Sequence, residues 1–146
     1  MKNRLEDTIN KIWQDRSLVK EESANQAIIE TLEMLDKGKL RIAEKINNEW
    51  KVNEWIKKAV VLYFVVQKME VTEVGPFEFH DKIALKKNYK ELGIRVVPHA
   101  IARYGAYISS GVVLLPSHVN IGAYVDSGTM VDTWATVGTC AQIGNN

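Results

Sequence analysis

A small α/β N-terminal domain running into an incomplete parallel β-helix is the fold this sequence predicts. Three observations predict it: apolar residues at helical spacing near the N-terminus, apolar residues every sixth position near the C-terminus, and small residues keeping step with that second set. The grammar changes at Arg95, which gives a mixed α/β domain with its connector over 1–94 and the β-helix over 95–146.

Leu5, Ile9, Ile12 and Trp13 share one face of a first helix. Glu21 and Glu22 suit the positive end of a second helix, which turns Ile28, Leu32 and Leu35 inward and stops at Gly38. Leu40 to Ile46, the Asn47-Asn48 turn and the segment with Trp50 and Val52 read as a short hairpin. Asn53 is placed to cap a third helix with Trp55, Ala59, Leu62, Tyr63 and Val66 on one side. Its Val60-Val61 and Val65-Val66 pairs would also suit a buried strand. Residues 69–94, with Gly75-Pro76 and several lysines, look like a connector holding one short helix.

Beyond Arg95, a period of six aligns Ile101, Tyr107, Val113, Val119, Val125, Val131, Val137 and Ile143. Two residues ahead of the marks from Tyr107 onward stand Gly105, Gly111, Ser117, Ala123, Thr129, Ala135 and Ala141, all small. Hexapeptides wind a chain into a triangular prism, each repeat making one short strand and one corner. The large aliphatic residue points down the prism axis, and the small one sits where the interior has no further room. A helix would throw successive sixth residues onto opposite faces. Three hexapeptides close a coil, so residues 101–146 hold about two and a half coils. The sequence ends at Gly144-Asn145-Asn146 without a capping segment, so the β-helix is expected to be truncated, with strand edges open to fraying or association.

Composition excludes several classes. Of 146 residues, 46% are apolar and 25% charged, and the net charge of +1 comes from intermixed signs. That balance marks neither a nucleic-acid binder nor a membrane binder. The N-terminus lacks a signal-peptide core, and the longest apolar run, Ala59 to Val66, is too short to span a bilayer. One cysteine, Cys140, excludes an internal disulfide, cannot alone build a cysteine metal site and fits a cytoplasmic setting.

The segment from Val119 to Gly138, with its Asp132-Thr133-Trp134-Ala135-Thr136-Val137-Gly138 run, closely resembles the signature of bacterial tetrahydrodipicolinate N-succinyltransferases. Arg41-Ile42-Ala43-Glu44-Lys45, Trp55-Ile56-Lys57-Lys58-Ala59-Val60 and Gly93-Ile94-Arg95-Val96-Val97-Pro98 match the same family in the same order, so the resemblance covers essentially the whole chain. It implies a left-handed β-helix, as in known hexapeptide prisms, and a homotrimer with active sites between neighbouring prisms. It also implies an acyltransferase of lysine (diaminopimelate) biosynthesis. Such an enzyme moves succinyl from succinyl-CoA, a co-substrate and not a bound cofactor, to tetrahydrodipicolinate, giving N-succinyl-2-amino-6-oxopimelate. By that match Arg95 and Asp132 fall on acceptor-binding positions, Asp132 is the catalytic group, and Trp134 either walls the pocket or packs between subunits. The family's second acidic residue and its CoA-lining coils would lie beyond Asn146. The chain therefore reads as the acceptor-side half of the enzyme, and the alternative is a non-catalytic remnant or assembly-only fragment.

These residue types suit that chemistry on their own terms. A guanidinium binds a carboxylate through two parallel hydrogen bonds, and a carboxylate near the reacting amine can accept its proton. The plainer readings stand beside them: Asp132 as an exposed turn residue, Arg95 as a surface charge, and Asn120 and Asp126 as corner residues like Asp132. His80, His99 and His118 share no helical or strand face, so neither a metal site nor a histidine base is expected. Cys140 reads as a small filler.

Overall fold

The structure, a computed structural model, describes residues 2–146. Three helices build its first layer: α1 (Lys2–Gln14), α2 (Glu22–Asp36) and α3 (Glu54–Val66). Their apolar stripes meet in one cluster, in which Leu5, Ile9, Ile12, Ile28, Leu32, Ile56 and Leu62 are fully buried. Each such side chain removed from water contributes about 1.5–3 kcal/mol, so packing rather than helix propensity holds the layer together. A short 3₁₀ turn, Arg16–Lys20, links α1 to α2, and Asp15 caps it by accepting the Ser17 amide at 3.0 Å. Helix α2 stops as expected: Gly38 takes a left-handed φ of +68°, and its N–H donates to Leu35 O.

Strands β1 (Ala43–Ile46) and β2 (Glu49–Val52) pair antiparallel around Asn47-Asn48, both at positive φ, as a two-residue type I′ turn requires. The Val-rich run is helical, with Trp55, Ile56, Ala59, Val60, Leu62 and Tyr63 forming the broad buried face of α3. Asn53 stands at the N-cap position but does not cap. Its amide instead donates to Arg41 O and to Glu44 Oε1, both at 2.9 Å, which ties the hairpin to the helix.

Residues 69–94 differ from expectation. Strands β3 (Glu70–Val74) and β4 (Phe77–Asp81) form an antiparallel hairpin around Gly75-Pro76. The short helix is reduced to hydrogen-bonded turns, with the Leu92 N–H reaching Asn88 O at 3.0 Å. The strand signal was weak because every residue of β3 is exposed, and an unburied strand has no reason to alternate.

Nine two-residue strands follow among the described residues: β5 (Arg95–Val96), β6 (Ile101–Ala102), β7 (Tyr107–Ile108), β8 (Val113–Leu114), β9 (His118–Val119), β10 (Tyr124–Val125), β11 (Met130–Val131), β12 (Thr136–Val137) and β13 (Gln142–Ile143). They stack into three parallel three-stranded sheets, β5–β8–β11, β6–β9–β12 and β7–β10–β13, which is the start of a three-sided β-helix.

The six-residue register holds with one slip. Ala102, Ile108 and Leu114 are the buried members of the first coil, aligned with Val119, Val125 and Val131 one coil later. Ile101, Tyr107 and Val113, expected on the axis, are only half-buried on the outward face. The step from Leu114 to Val119 is five residues, and the shortfall falls at the Leu115-Pro116-Ser117 corner. Six other corners place a residue at positive φ three positions before the interior one: Gly105, Gly111, Gly122, Gly128, Trp134 and Cys140. Pro116 holds that slot at the short corner, and its ring locks φ near −65°, so the chain must turn there by another route. Gly105 and Gly111 are therefore corner residues. The inner neighbours of Ile108 and Leu114 are Ala106 and Val112, both fully buried, so the small-residue rule relaxes at Val112.

The helical layer covers one corner of the prism and one sheet. A Cβ on Gly105 would come within 2.9 Å of Leu32 Cδ1, and Ile121 is buried in the helical cluster. Arg41 lays its guanidinium over Tyr124, Cζ 3.6 Å from the ring centroid, and donates from Nε to Gln142 Oε1 at 3.2 Å. Lys86, buried, pairs with Asp36 at 2.7 Å, and the same carboxylate oxygen accepts the Gly105 N–H. The outer face of β5–β8–β11 is different: Arg95 and Met130 both lie open on it.

Candidate active site

Arg95 opens β5. Its strand partner is Val113, whose partner on the other side is Met130, so the three side chains form one outward column opposite Val96, Leu114 and Val131. Asp132 follows Val131 at the end of the same sheet. Strands spaced by about 4.8 Å put β5 and β11 roughly 10 Å apart along the prism. The fold thus brings Arg95 and Asp132 to one sheet, with strand β8 between them.

Asp132 also has a turn role. Its Oδ1 accepts the Thr133 N–H at 2.7 Å, as Asp126 accepts Ser127 N–H at 2.8 Å and Asn120 accepts Ile121 N–H at 2.9 Å. An oxygen-bearing side chain after each of these interior valines closes the corner that follows. That bond uses one oxygen of an exposed carboxylate. Asn120 additionally accepts from Arg103 at 3.2 Å, which fixes it as a corner residue.

Trp134 stands at the next corner with φ +61° and is 78% exposed. Bulky side chains rarely take that backbone conformation, and here no burial offsets its cost. Its N–H donates to Pro116 O at 2.7 Å, and its indole meets the His99 ring edge-on with centroids 6.2 Å apart. His99, Pro116 and Trp134 therefore stack along one prism corner. Met130, 60% exposed on the adjoining strand, extends the apolar surface. Folding alone does not explain this choice of residues, because glycine fills the equivalent slot at 105, 111, 122 and 128. That break in the glycine series was available in the sequence. The His99 contact was not, because it joins residues two coils apart.

The remaining candidates have plainer settings. His118 faces outward on β9, where burial and the nearby Arg103 charge lower its pKa. Cys140 occupies a corner beside Gly122, and burial raises its thiol pKa to about 11. Among the described residues, no group of three or more His, Cys, Asp and Glu side chains is arranged to hold a metal, and no helix is long and apolar enough to cross a membrane.

Short parallel strands wound three-sided behind a helical layer, with polar residues at the corners, define the class: a hexapeptide-repeat β-helix protein with an N-terminal helical domain. Residues 4–66 match the family model described as tetrahydrodipicolinate N-succinyltransferase N-terminal. The 2,3,4,5-tetrahydropyridine-2,6-dicarboxylate N-succinyltransferase of Acinetobacter baylyi is 55% identical over 127 residues, covering 83% of this chain and 46% of that protein. The enzyme of the same name from Dechloromonas aromatica is 47% identical over 155 residues, covering all of this chain and 57% of that protein. That from Cereibacter sphaeroides is 50% identical over 153 residues, covering 97% and 56%. The chain spans about half the length of the curated relatives it matches. It is a relative of the tetrahydrodipicolinate N-succinyltransferases and matches the N-terminal part of that family's members.

Proposed function

We propose that this chain supplies the acceptor-binding part of a CoA-dependent N-succinyltransferase that moves succinyl from succinyl-CoA to tetrahydrodipicolinate. The products are N-succinyl-2-amino-6-oxopimelate and free CoA, a step of lysine (diaminopimelate) biosynthesis. The observation that carries this reading is the likeness to enzymes of that name across 97% to 100% of the chain. In this account the hydrated ring opens to an amine, and Arg95 pairs with an acceptor carboxylate. Asp132 holds the amine and takes its proton as the nitrogen attacks the thioester carbonyl. The carbon–sulfur bond then breaks, and CoA leaves as the thiol after gaining a proton. Trp134 walls the acceptor pocket.

Succinyl-CoA acts as a co-substrate, with no resident metal or prosthetic group. The same reading gives a left-handed prism, a division between a 1–94 domain and a 95–146 domain, a cytoplasmic location and a homotrimer. Exposed Met130 and Trp134 support assembly, since an open apolar surface of this kind suits a neighbouring prism. The test is thiol release by the protein that carries this chain, with and without the cyclic imine dicarboxylate. Acceptor-dependent release from succinyl-CoA, faster than from acetyl-CoA, is expected; release independent of the acceptor, or none, contradicts the proposal.

A further inference from the structure

A cleft of about 670 Å³ opens away from Arg95 and Asp132, between the β3–β4 hairpin and the β6–β9–β12 sheet. That size is ordinary for a small-molecule site. Its floor includes Ile101 and His118, strand partners on the outward side of the prism. Its wall is the hairpin, where Thr72 pairs with Phe79 and Val74 with Phe77, so all four side chains share one face. Val74 is 56% exposed, Phe79 44% and Leu85, also on the lining, 45%. An apolar lining this open has no folding role of its own and marks a surface that something covers.

The charged lining narrows what that something is. Lys68, Lys82, Lys87 and Arg103 stand against Glu70 and Asp81. Arg103 and Asp81 satisfy each other at 2.7 Å, which leaves three ammonium groups against one carboxylate. Lys82 gives one hydrogen bond, to Phe64 O at 2.9 Å, and an ammonium has three to give. His118 is held towards its neutral form, chiefly by burial and secondarily by Arg103, so it adds no charge of its own to the lining.

We propose that this cleft binds an organic anion with an apolar body, of the medium-chain carboxylate class. Its chain lies against Val74, Phe79, Leu85 and Ile101, and its headgroup lies among Lys68, Lys82 and Lys87. The site is one prism corner away from the Arg95–Asp132 sheet and does not depend on the acyl-transfer reading.

Titration of the isotopically labelled chain with octanoate, followed by amide chemical shifts, tests it. Saturable shifts clustered at Thr72, Phe79, Ile101 and His118 are expected, with 1-octanol and acetate each at least about tenfold weaker because each lacks one half of the recognition. Phe79→Ser and Lys82→Met should each weaken octanoate binding at least about fivefold while circular dichroism stays unchanged, and Asp132→Asn should leave it untouched. Equal binding of 1-octanol would reduce the cleft to a non-specific apolar patch. Unsaturable shifts, or hairpin shifts that follow protein concentration instead of ligand, would also overturn the proposal, the latter in favour of self-association.

Discussion

Leu114 and Val119 occupy successive interior positions of the prism although only five positions separate them. Every residue before that step is displaced by one from the register that the later valines define. The displacement has a direct energetic signature. Leu114→Ala removes a fully buried side chain from the axis and should cost about 2–5 kcal/mol, whereas Val113→Ala, on the outward face, should cost well under half of that. Urea unfolding midpoints of the two variants would separate the two registers, and the reverse order would restore the unslipped one.

The junction between helical layer and prism depends on Arg41 over Tyr124. Arg41→Leu should destabilise by about 1–2 kcal/mol, because the guanidinium both stacks on the ring and donates to Gln142. Arg41→Lys should recover little, since an ammonium has no flat face to lay on the ring. Thermal unfolding of the three proteins checks both statements.

A second tie is buried. Lys86→Met would leave the Asp36 carboxylate with the Gly105 N–H but without its counter-charge, at a cost of about 3–5 kcal/mol. Replacing both partners, Lys86→Met with Asp36→Leu, should cost less than the single change. Additive losses in denaturant unfolding would show that the pair is not coupled.

Cys140 should be a slow thiol. Burial raises its pKa from 9.0 to about 11, and the neutral form is therefore the one the fold favours. At pH 8 the thiolate population, and with it the rate of iodoacetamide alkylation, should be about a hundredfold below that of the unfolded chain. The deficit should persist below the unfolded pKa and close as pH rises through the folded one. Equal rates in the folded and unfolded protein would place the thiol at the surface.

Much of this was readable from residues alone, and the failures have causes. Helices α1 to α3, the Gly38 stop and the Asn47-Asn48 turn were legible because each joins a local propensity to a burial pattern. The β3–β4 hairpin was missed because Thr72, Val74 and Phe79 face a cleft instead of a core, so no alternation of burial was written into the two strands. The register slip hid because Ile101, Tyr107 and Val113 are themselves apolar, and only strand pairing tells them from their neighbours. At the candidate site, Arg95 and Asp132 were visible through a matched segment. Their shared sheet and the strand between them needed the coil to be built.

The most direct test of the account compares acceptor-dependent thiol release by the protein carrying this chain with that of its Asp132→Asn form. Asparagine keeps the oxygen that accepts the Thr133 N–H, so the corner survives while the proton acceptor is lost. The account predicts a fall of about 10²–10⁴-fold in kcat with unfolding behaviour unchanged. Equal kcat in the two proteins would leave Asp132 a corner residue and would contradict the proposed site.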